Sequence, residues 1–171
     1  MKSSISVIIP VCHGGENFRN CLSSLVKTAP APHEVIVVIN GDSDGSAHFA
    51  EATGVKVLTL PNPVGPAQAR NLGARAAQGD ILFFMDADVT VPQRIINQAQ
   101  TFFEKYSGIS AMMGSYDQAP QAPNFFSQYK NLFHHFIHQN SCEEGSTFWG
   151  ACGAVRRLVE GRLPTMLALG R

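Results

Sequence analysis

Apolar positions come in two rhythms along this chain, and the rhythms alternate. Residues 5–11 (ISVIIPV) form a short, nearly unbroken β-branched run, the pattern of a buried strand. After the loop Cys12-His13-Gly14-Gly15-Glu16 the spacing changes. Phe18, Cys21, Leu22, Leu25 and Val26 recur at i, i+3, i+4, i+7 and i+8, one face of a helix. Ala29-Pro30-Ala31-Pro32 breaks the chain, and residues 34–39 (EVIVVI) give a second buried-type strand that ends in the turn cluster NGDSDGS. A short helix from Ser46, a strand over 55–60 and a breaker over 61–66 follow, with Pro66 placed to open a helix over 67–78 that Gly79 would close. A fourth strand is predicted over 81–85. Thr90 and Pro92 mark the approach to a helix whose stripe is Ile95, Ile96, Ala99, Phe102 and Phe103, and residues 108–116 read as a fifth strand.

Strand and helix in alternation predict an α/β fold, a parallel sheet covered by helices. Ligands of such sheets bind at the carboxyl ends of the strands. The polar loops CHGG, NGDSDGS and DADVT all fall there. The chain of 171 residues suits one domain, and 44% apolar with 15% charged residues is ordinary for a globular protein. A formal net charge of zero argues against a nucleic-acid partner. Cys12, Cys21, Cys142 and Cys152 form no C-x-x-C pair and read as free thiols of a reducing compartment. No cleaved leader is expected after Lys2, and no apolar run approaches the roughly 20 residues that span a bilayer. A cytoplasmic location follows as an expectation, with peripheral contact at the cytoplasmic face of a membrane as a further one.

The sharpest local signal is the abrupt end of Ile81-Leu82-Phe83-Phe84-Met85 in Asp86-Ala87-Asp88. With period two, both carboxylates point to one side. Two converging carboxylates repel unless a hard cation sits between them, and such a cation is commonly shared with phosphate oxygens. A solvated turn is the plainer alternative for a bare D-x-D. A phosphatase of the haloacid dehalogenase type, with Asp86 as nucleophile and Asp88 as acid, is another, but it needs a later Asp pair and only Asp117 follows. A third is a non-catalytic binding module.

Three ordered blocks carry a resemblance. ARNLGARAAQGDILFFMDADV (69–89), SVIIPVCHGGENFRNCLSSL (6–25) and HEVIVVINGDSDGS (33–46) resemble the central block, first strand–loop–helix and second strand–turn of family 2 glycosyltransferases. The similarity covers residues 4 to 157. It implies a GT-A, Rossmann-like fold: a mostly parallel nucleotide-binding sheet with flanking helices. Residues 4–115 would bind the nucleotide sugar, 116–157 would begin an acceptor part left incomplete, and 158–171 would be an atypical tail. The resemblance implies transfer of a hexosyl-type sugar, with inversion, from a UDP- or GDP-type donor to a glycan or lipid-linked acceptor, as in bacterial cell-surface polysaccharide synthesis. Mg²⁺ or Mn²⁺ would be the cofactor.

Residue by residue, it makes Asp88 the principal metal ligand, with Asp86 and Ala87 beside the ribose and the metal-diphosphate. Asn40 stands where the family usually has an Asp that meets the uracil ring, and its carbonyl can still accept from a pyrimidine N–H. Arg70 stands where a basic residue approaches the nucleotide. Pro10, Cys12 and His13 line the base pocket, although Cys12-His13 replaces an aromatic-Asn pair. Trp149 would floor the donor-sugar pocket, beside the small Gly150, Ala151 and Gly153. The family's catalytic base, an Asp farther on, has no counterpart, because no Asp follows Asp117 and Glu143, Glu144 and Glu160 do not match its place. Binding of donor and metal without efficient turnover, as in a truncated member, is therefore expected.

Three further groups read as structural. Arg75 is five residues from Arg70 and belongs to another helix face. Asp42 and Asp44 suit turn chemistry. His134 and His138, at i and i+4, have zinc-like spacing without a third ligand. Their helix, over 124–139, carries Phe125, Phe126, Tyr129, Leu132, Phe133, Phe136 and Ile137 and is expected to be core rather than a lipid-facing surface.

Overall fold

The computed structural model describes residues 3–41, 44–118, 124–140, 148 and 150–157. The elements run β1 (Ile5–Val11), α1 (Gly15–Val26), β2 (Glu34–Asn40), α2 (Ser46–Ala52), β3 (Lys56–Leu60), α3 (Pro66–Ala76), β4 (Ile81–Met85), α4 (Ile95–Lys105), β5 (Ala111–Met113), α5 (Phe125–Asn140) and β6 (Cys152–Arg156). They form one sheet of order β3-β2-β1-β4-β6-β5. β3, β2, β1 and β4 are parallel, and β6 and β5 add antiparallel at one side. The sheet is thus mixed: an all-parallel half with two antiparallel strands beside it.

The continuous apolar runs are explained by burial on both faces. Ile5, Val7, Ile9 and Val11 of β1 pack into one core with Val37, Ile39, Phe83 and Met85, under Phe18, Cys21, Leu22 and Leu25 of α1 and Ile96, Ala99 and Phe103 of α4. Ile8, Ile36, Val38, Leu82 and Phe84 face the other way, against Ala69, Ala74 and Ala77 of the α3 segment. On that second face the helix comes very close. A Cβ on Gly73 would lie 2.5 Å from Ile8 Cγ2 and 3.2 Å from Val38 Cγ2, so only glycine fits.

Several boundaries differ from the sequence reading. Val26 is 54% exposed and leaves the α1 stripe. α3 ends at Ala76 through an extended Ala77, not at a glycine cap. Gly79 instead meets β1: a Cβ there would fall 2.7 Å from Ser6 N. The fifth strand shrinks to three residues, because its only partner is β6. The largest departure is α5. None of its residues is buried, and Phe125 and Phe126 are 74% and 80% exposed, so the expectation that this helix is core fails. No helix among the described residues is long and apolar enough to cross a membrane.

Candidate functional site

Topology fixes where the sheet opens. The chain fills β1, β2 and β3 outward on one side, then returns to place β4 on the other side of β1. Loops leaving β1 and β4 therefore diverge at their carboxyl ends, the switch point where α/β sheets bind ligands. The β1–β4 pairing stops at Ile8–Phe84, while β1–β2 continues to Val11–Ile39. Pro10, which cannot donate to a ladder, is tolerated beyond that end. A cavity of about 420 Å³ lies there, lined by Pro10, Cys12, His13, Asn40, Arg70, Asp86, Ala87 and Asp88, with Val11, Gly14, Asn17 and Pro66. Eight of the nine residues expected from the sequence thus share one cavity. The ninth, Trp149, lies outside the described residues, as do Asp42, Glu143, Glu144 and Glu160.

The acid loop is anchored by its main chain. Asp86 N–H donates to Ala151 O (2.8 Å), Val89 N–H closes a turn onto Asp86 O (3.1 Å), and Cys21 Sγ lies 3.5 Å from the same oxygen. Val91 N–H donates to Ser24 Oγ (3.1 Å). The strand has ended at Met85, yet the alternation persists. Ala87 and Val89 pack against the core, while Asp86 and Asp88 line the cavity. Both acidic residues border the same cavity.

Arg70 comes from the first turns of α3, whose N-terminus lies at the same end of the sheet. Its guanidinium pairs with Asp86, the one ion pair among the described residues. Arg70 Nε is buried and has no hydrogen-bond partner among those residues. Gly150 leaves room for it, since a Cβ there would approach the guanidinium to 3.2 Å. Arg75 is exposed on another face, as its spacing predicts.

The rest of the rim is held by side chains that clamp loops. Asn40 is 5% exposed, and its amide is engaged twice by one residue: Nδ2 donates to Val64 O (2.6 Å) and Oδ1 accepts from Val64 N–H (2.7 Å). Its carbonyl keeps only a second lone pair for any base. Asp44 accepts from Gly15 N–H (2.9 Å), Ser46 N–H (3.1 Å) and Ser46 Oγ–H (2.6 Å), tying the turn after β2 to the loop after β1. The Ser46 hydroxyl above all, then these N–H groups, hold its carboxyl below the ordinary aspartate range. His13 sits at φ +56°, exposed, with Cys12 Sγ 3.3 Å from its Nδ1.

The negative field of the acid pair reaches its neighbours. Burial first, then Asp88 and Asp86, push the Cys21 thiol up to about 12. Burial and Asp86 push Cys152 up to about 11. The Tyr116 phenol is also raised, by burial and then by Asp88 and Asp86. One guanidinium therefore does not cancel the two carboxylates. Two oxygen donors, a residual negative field and an open cavity suit a hard divalent cation that completes its shell with water and a phosphorylated ligand. They do not suit zinc, and no group of three His, Cys, Asp or Glu among the described residues could hold a metal. His134 and His138 instead flank the Tyr116 ring, at 5.4 and 6.0 Å between centroids.

Sequence reasoning missed Asn17, which lines the cavity. Asn17 follows the α1 N-terminus, one residue before the stripe begins at Phe18, and that position was a usable signal.

A family model described as glycosyl transferase family 2 matches residues 6–162. Glycosyltransferase GlyG of Streptococcus pneumoniae is 31% identical over 101 residues, 56% of this chain and 34% of that protein. Glycosyltransferase AglE of Haloferax volcanii is 35% identical over 97 residues, 53% of this chain and 32% of that one. The chain spans about a third of the length of these curated relatives. Among solved structures, the mannosyltransferase PcManGT from Pyrobaculum calidifontis, in complex with GDP-Man and Mn²⁺, superposes with TM-score 0.65 at 21% identity, over 92% of this chain and 45% of that one. Staphylococcus aureus TarS 1–349 with UDP-GlcNAc gives 0.63 at 22% identity, over 71% and 36%. These two likenesses speak to the fold.

Proposed function

The chain belongs to glycosyl transferase family 2, and from that premise we propose that it binds a nucleotide diphosphate sugar, together with Mg²⁺ or Mn²⁺, in the cavity between the β1 and β4 loops. One observation carries this reading: Asp86 and Asp88, from the loop after β4, and Arg70, from α3, border a single cavity at the switch point of the sheet. The bound ligands named for PcManGT and TarS, GDP-Man and UDP-GlcNAc, support the donor class.

Asp88, exposed at the rim, and Asp86 would hold the cation. When bound, that ion supplies charge stabilisation to a departing nucleotide diphosphate. Arg70 is positioned to serve the same anion. Its unpartnered, buried Nε can donate to a phosphate oxygen while its other face keeps Asp86 oriented. Asn40 and Asp44 shape the pocket by fixing the loops over it. Residues 4–115 would form the donor-binding part and 116–157 the start of the acceptor part, with a glycan or lipid-linked acceptor. Transfer would proceed by inversion, and no general base is assigned to any residue here.

Calorimetry with a panel of UDP- and GDP-sugars, with and without Mn²⁺, tests the proposal. Metal-dependent binding is expected, and Asp88→Ala should weaken it by about tenfold or more, equivalent to about 1.4 kcal/mol or more. Undiminished metal-dependent binding in that variant would overturn the assignment. The match to the family removes the phosphatase alternative. The non-catalytic module shares this site and is separated from it by measured sugar transfer.

A further inference from the structure

Level with the acid pair, across β6, runs a strap that the cavity lining does not include, and three strands bring it there. Met85, the last residue of β4, pairs with Cys152 of β6, and Cys152 O accepts from Gly114 N–H (2.8 Å) just past β5. One step farther out, Ala151 O accepts from Asp86 N–H. Residues 115–118 therefore leave the sheet at the level of Asp86, on the far side of β6.

This strap is fastened to α5. The Tyr116 carbonyl lies against His135 Nδ1 in a short contact. Asn131 Nδ2 donates to Asp117 O (2.7 Å), and Gln118 Nε2 lies 3.1 Å from His135 Nε2. The Tyr116 ring stacks on His134 at an interplanar angle of 25° and tilts at 43° to His138. Burial first, then Asp88 and Asp86, raise its phenol. A phenol gripped on its ring face by two imidazoles has few ways to swing. Its fixed hydroxyl is a ready hydrogen-bond donor to an oxygen-rich ligand.

We propose that Tyr116, held by the α5 histidines, is a further binding residue of the acid-pair site, donating its hydroxyl to an oxygen of the nucleotide diphosphate sugar from the side opposite the β1 loop. This rests on the donor-binding reading above and deepens it. It also gives α5 a role: none of its residues is fully buried, yet its histidines hold the strap that carries Tyr116.

The test uses the whole chain with ring-labelled tyrosine, observed by NMR; the chain has three tyrosines, and Tyr116→Phe assigns the signal. With UDP or GDP present, Mn²⁺ should broaden the Tyr116 ring signal selectively, and diamagnetic Mg²⁺ should leave it sharp. In calorimetry with Mn²⁺ and the best donor sugar, Tyr116→Phe should weaken binding by about tenfold or more, the range for one hydrogen bond to a charged oxygen. It should leave Mn²⁺ binding in the absence of nucleotide within about twofold. The double variant His134→Ala/His138→Ala should weaken donor binding in the same sense, by loosening the phenol. If donor and Mn²⁺ bind but the ring signal stays sharp and Tyr116→Phe binds like the parent, this inference falls and the donor site stands. If neither nucleotide nor metal binds the parent chain, the donor-binding reading fails and takes this one with it.

Discussion

Asn40 shows how a side chain's place can be legible in the sequence while its structural partner is not. Its position at the end of β2 was legible, because the apolar run stops there and a turn cluster follows. Its partner was not, since Val64 lies 24 residues on and no local pattern links the two. The structure makes Asn40 a bracket for the loop that leads into α3, with both halves of its amide satisfied by one backbone unit. Asn40→Ala would leave the N–H and C=O of Val64 without these partners, at a cost of about 1–3 kcal/mol. Urea unfolding should show a lower midpoint with an unchanged slope, and donor binding should weaken because Pro66 and Arg70 follow that loop. If stability holds and only binding falls, Asn40 contacts the ligand directly, as the family pattern implies.

At the scale of elements, the periods were easy to see and the close approaches were not. Period two in β1, β2 and β4 was hidden inside continuous apolar runs, as it must be when both faces are covered. The 3.6 period identified α1 and α4. α3 is different: its buried residues are Ala67, Ala69, Gly73 and Ala74, so its stripe is defined by smallness. Gly73 lets this helix sit directly on Ile8 and Val38, and Arg70 lies one turn before it. Gly73→Ala gains helix propensity, about 1 kcal/mol, but must push α3 off the sheet. Overpacking of this kind costs about 1–3 kcal/mol. The net expectation is a modest loss of stability and a larger loss of donor affinity, because Arg70 moves with the helix. Calorimetry on Gly73→Ala alongside Arg70→Met checks the link. A Gly73→Ala protein with parental affinity would separate helix packing from the site.

The opposite end of the same sheet carries a pH dependence. Asp80 accepts from Ser4 Oγ–H (2.7 Å) and Ser4 N–H (2.9 Å), and these bonds, the hydroxyl first, hold its carboxyl below the ordinary range. Glu34 accepts from Ser6 Oγ–H and Gln78 N–H. Burial opposes ionisation of Glu34, but these bonds outweigh it and its carboxyl too is lowered. A carboxyl lowered by folding stabilises above its unfolded value, near 4 for both residues, and that stability is lost as pH falls through the folded value. The contribution of these two carboxyls should therefore be constant from pH 7 to about 5 and decline below about 4. Asp80→Asn with Glu34→Gln should lower the plateau and flatten the acid limb in thermal unfolding followed by circular dichroism. An unchanged acid limb would remove these two carboxyls from the account.

Taken whole, the chain has two parts of unequal cohesion, and the sequence misjudged the second. The aromatic run over 125–137 reads as core by composition, since Phe and Ile are most often buried. Composition cannot say whether anything is there to bury them against. In the structure, residues of α5 meet the strap over 115–118, while Phe125, Tyr129 and Phe133 stack on one another along the helix. The four parallel strands, by contrast, are sandwiched between two cores. Local opening follows buried apolar contact, so amide exchange should divide along the same line. Central amides of β1, β2 and β4 should exchange only by global unfolding, with free energies that fall in step as urea is added. Those of α5 should exchange through small openings with little urea dependence, at rates higher by about two orders of magnitude or more, a gap of about 2.7 kcal/mol. Adding donor and Mn²⁺ should slow exchange in the acid loop. If Tyr116 belongs to that site it should also slow exchange in α5, more than 100 residues from the β1 loop in sequence. Exchange in α5 matching that of β4 in the free protein would mean that the helix shares the main core's cooperativity, and the two-part description would then be wrong.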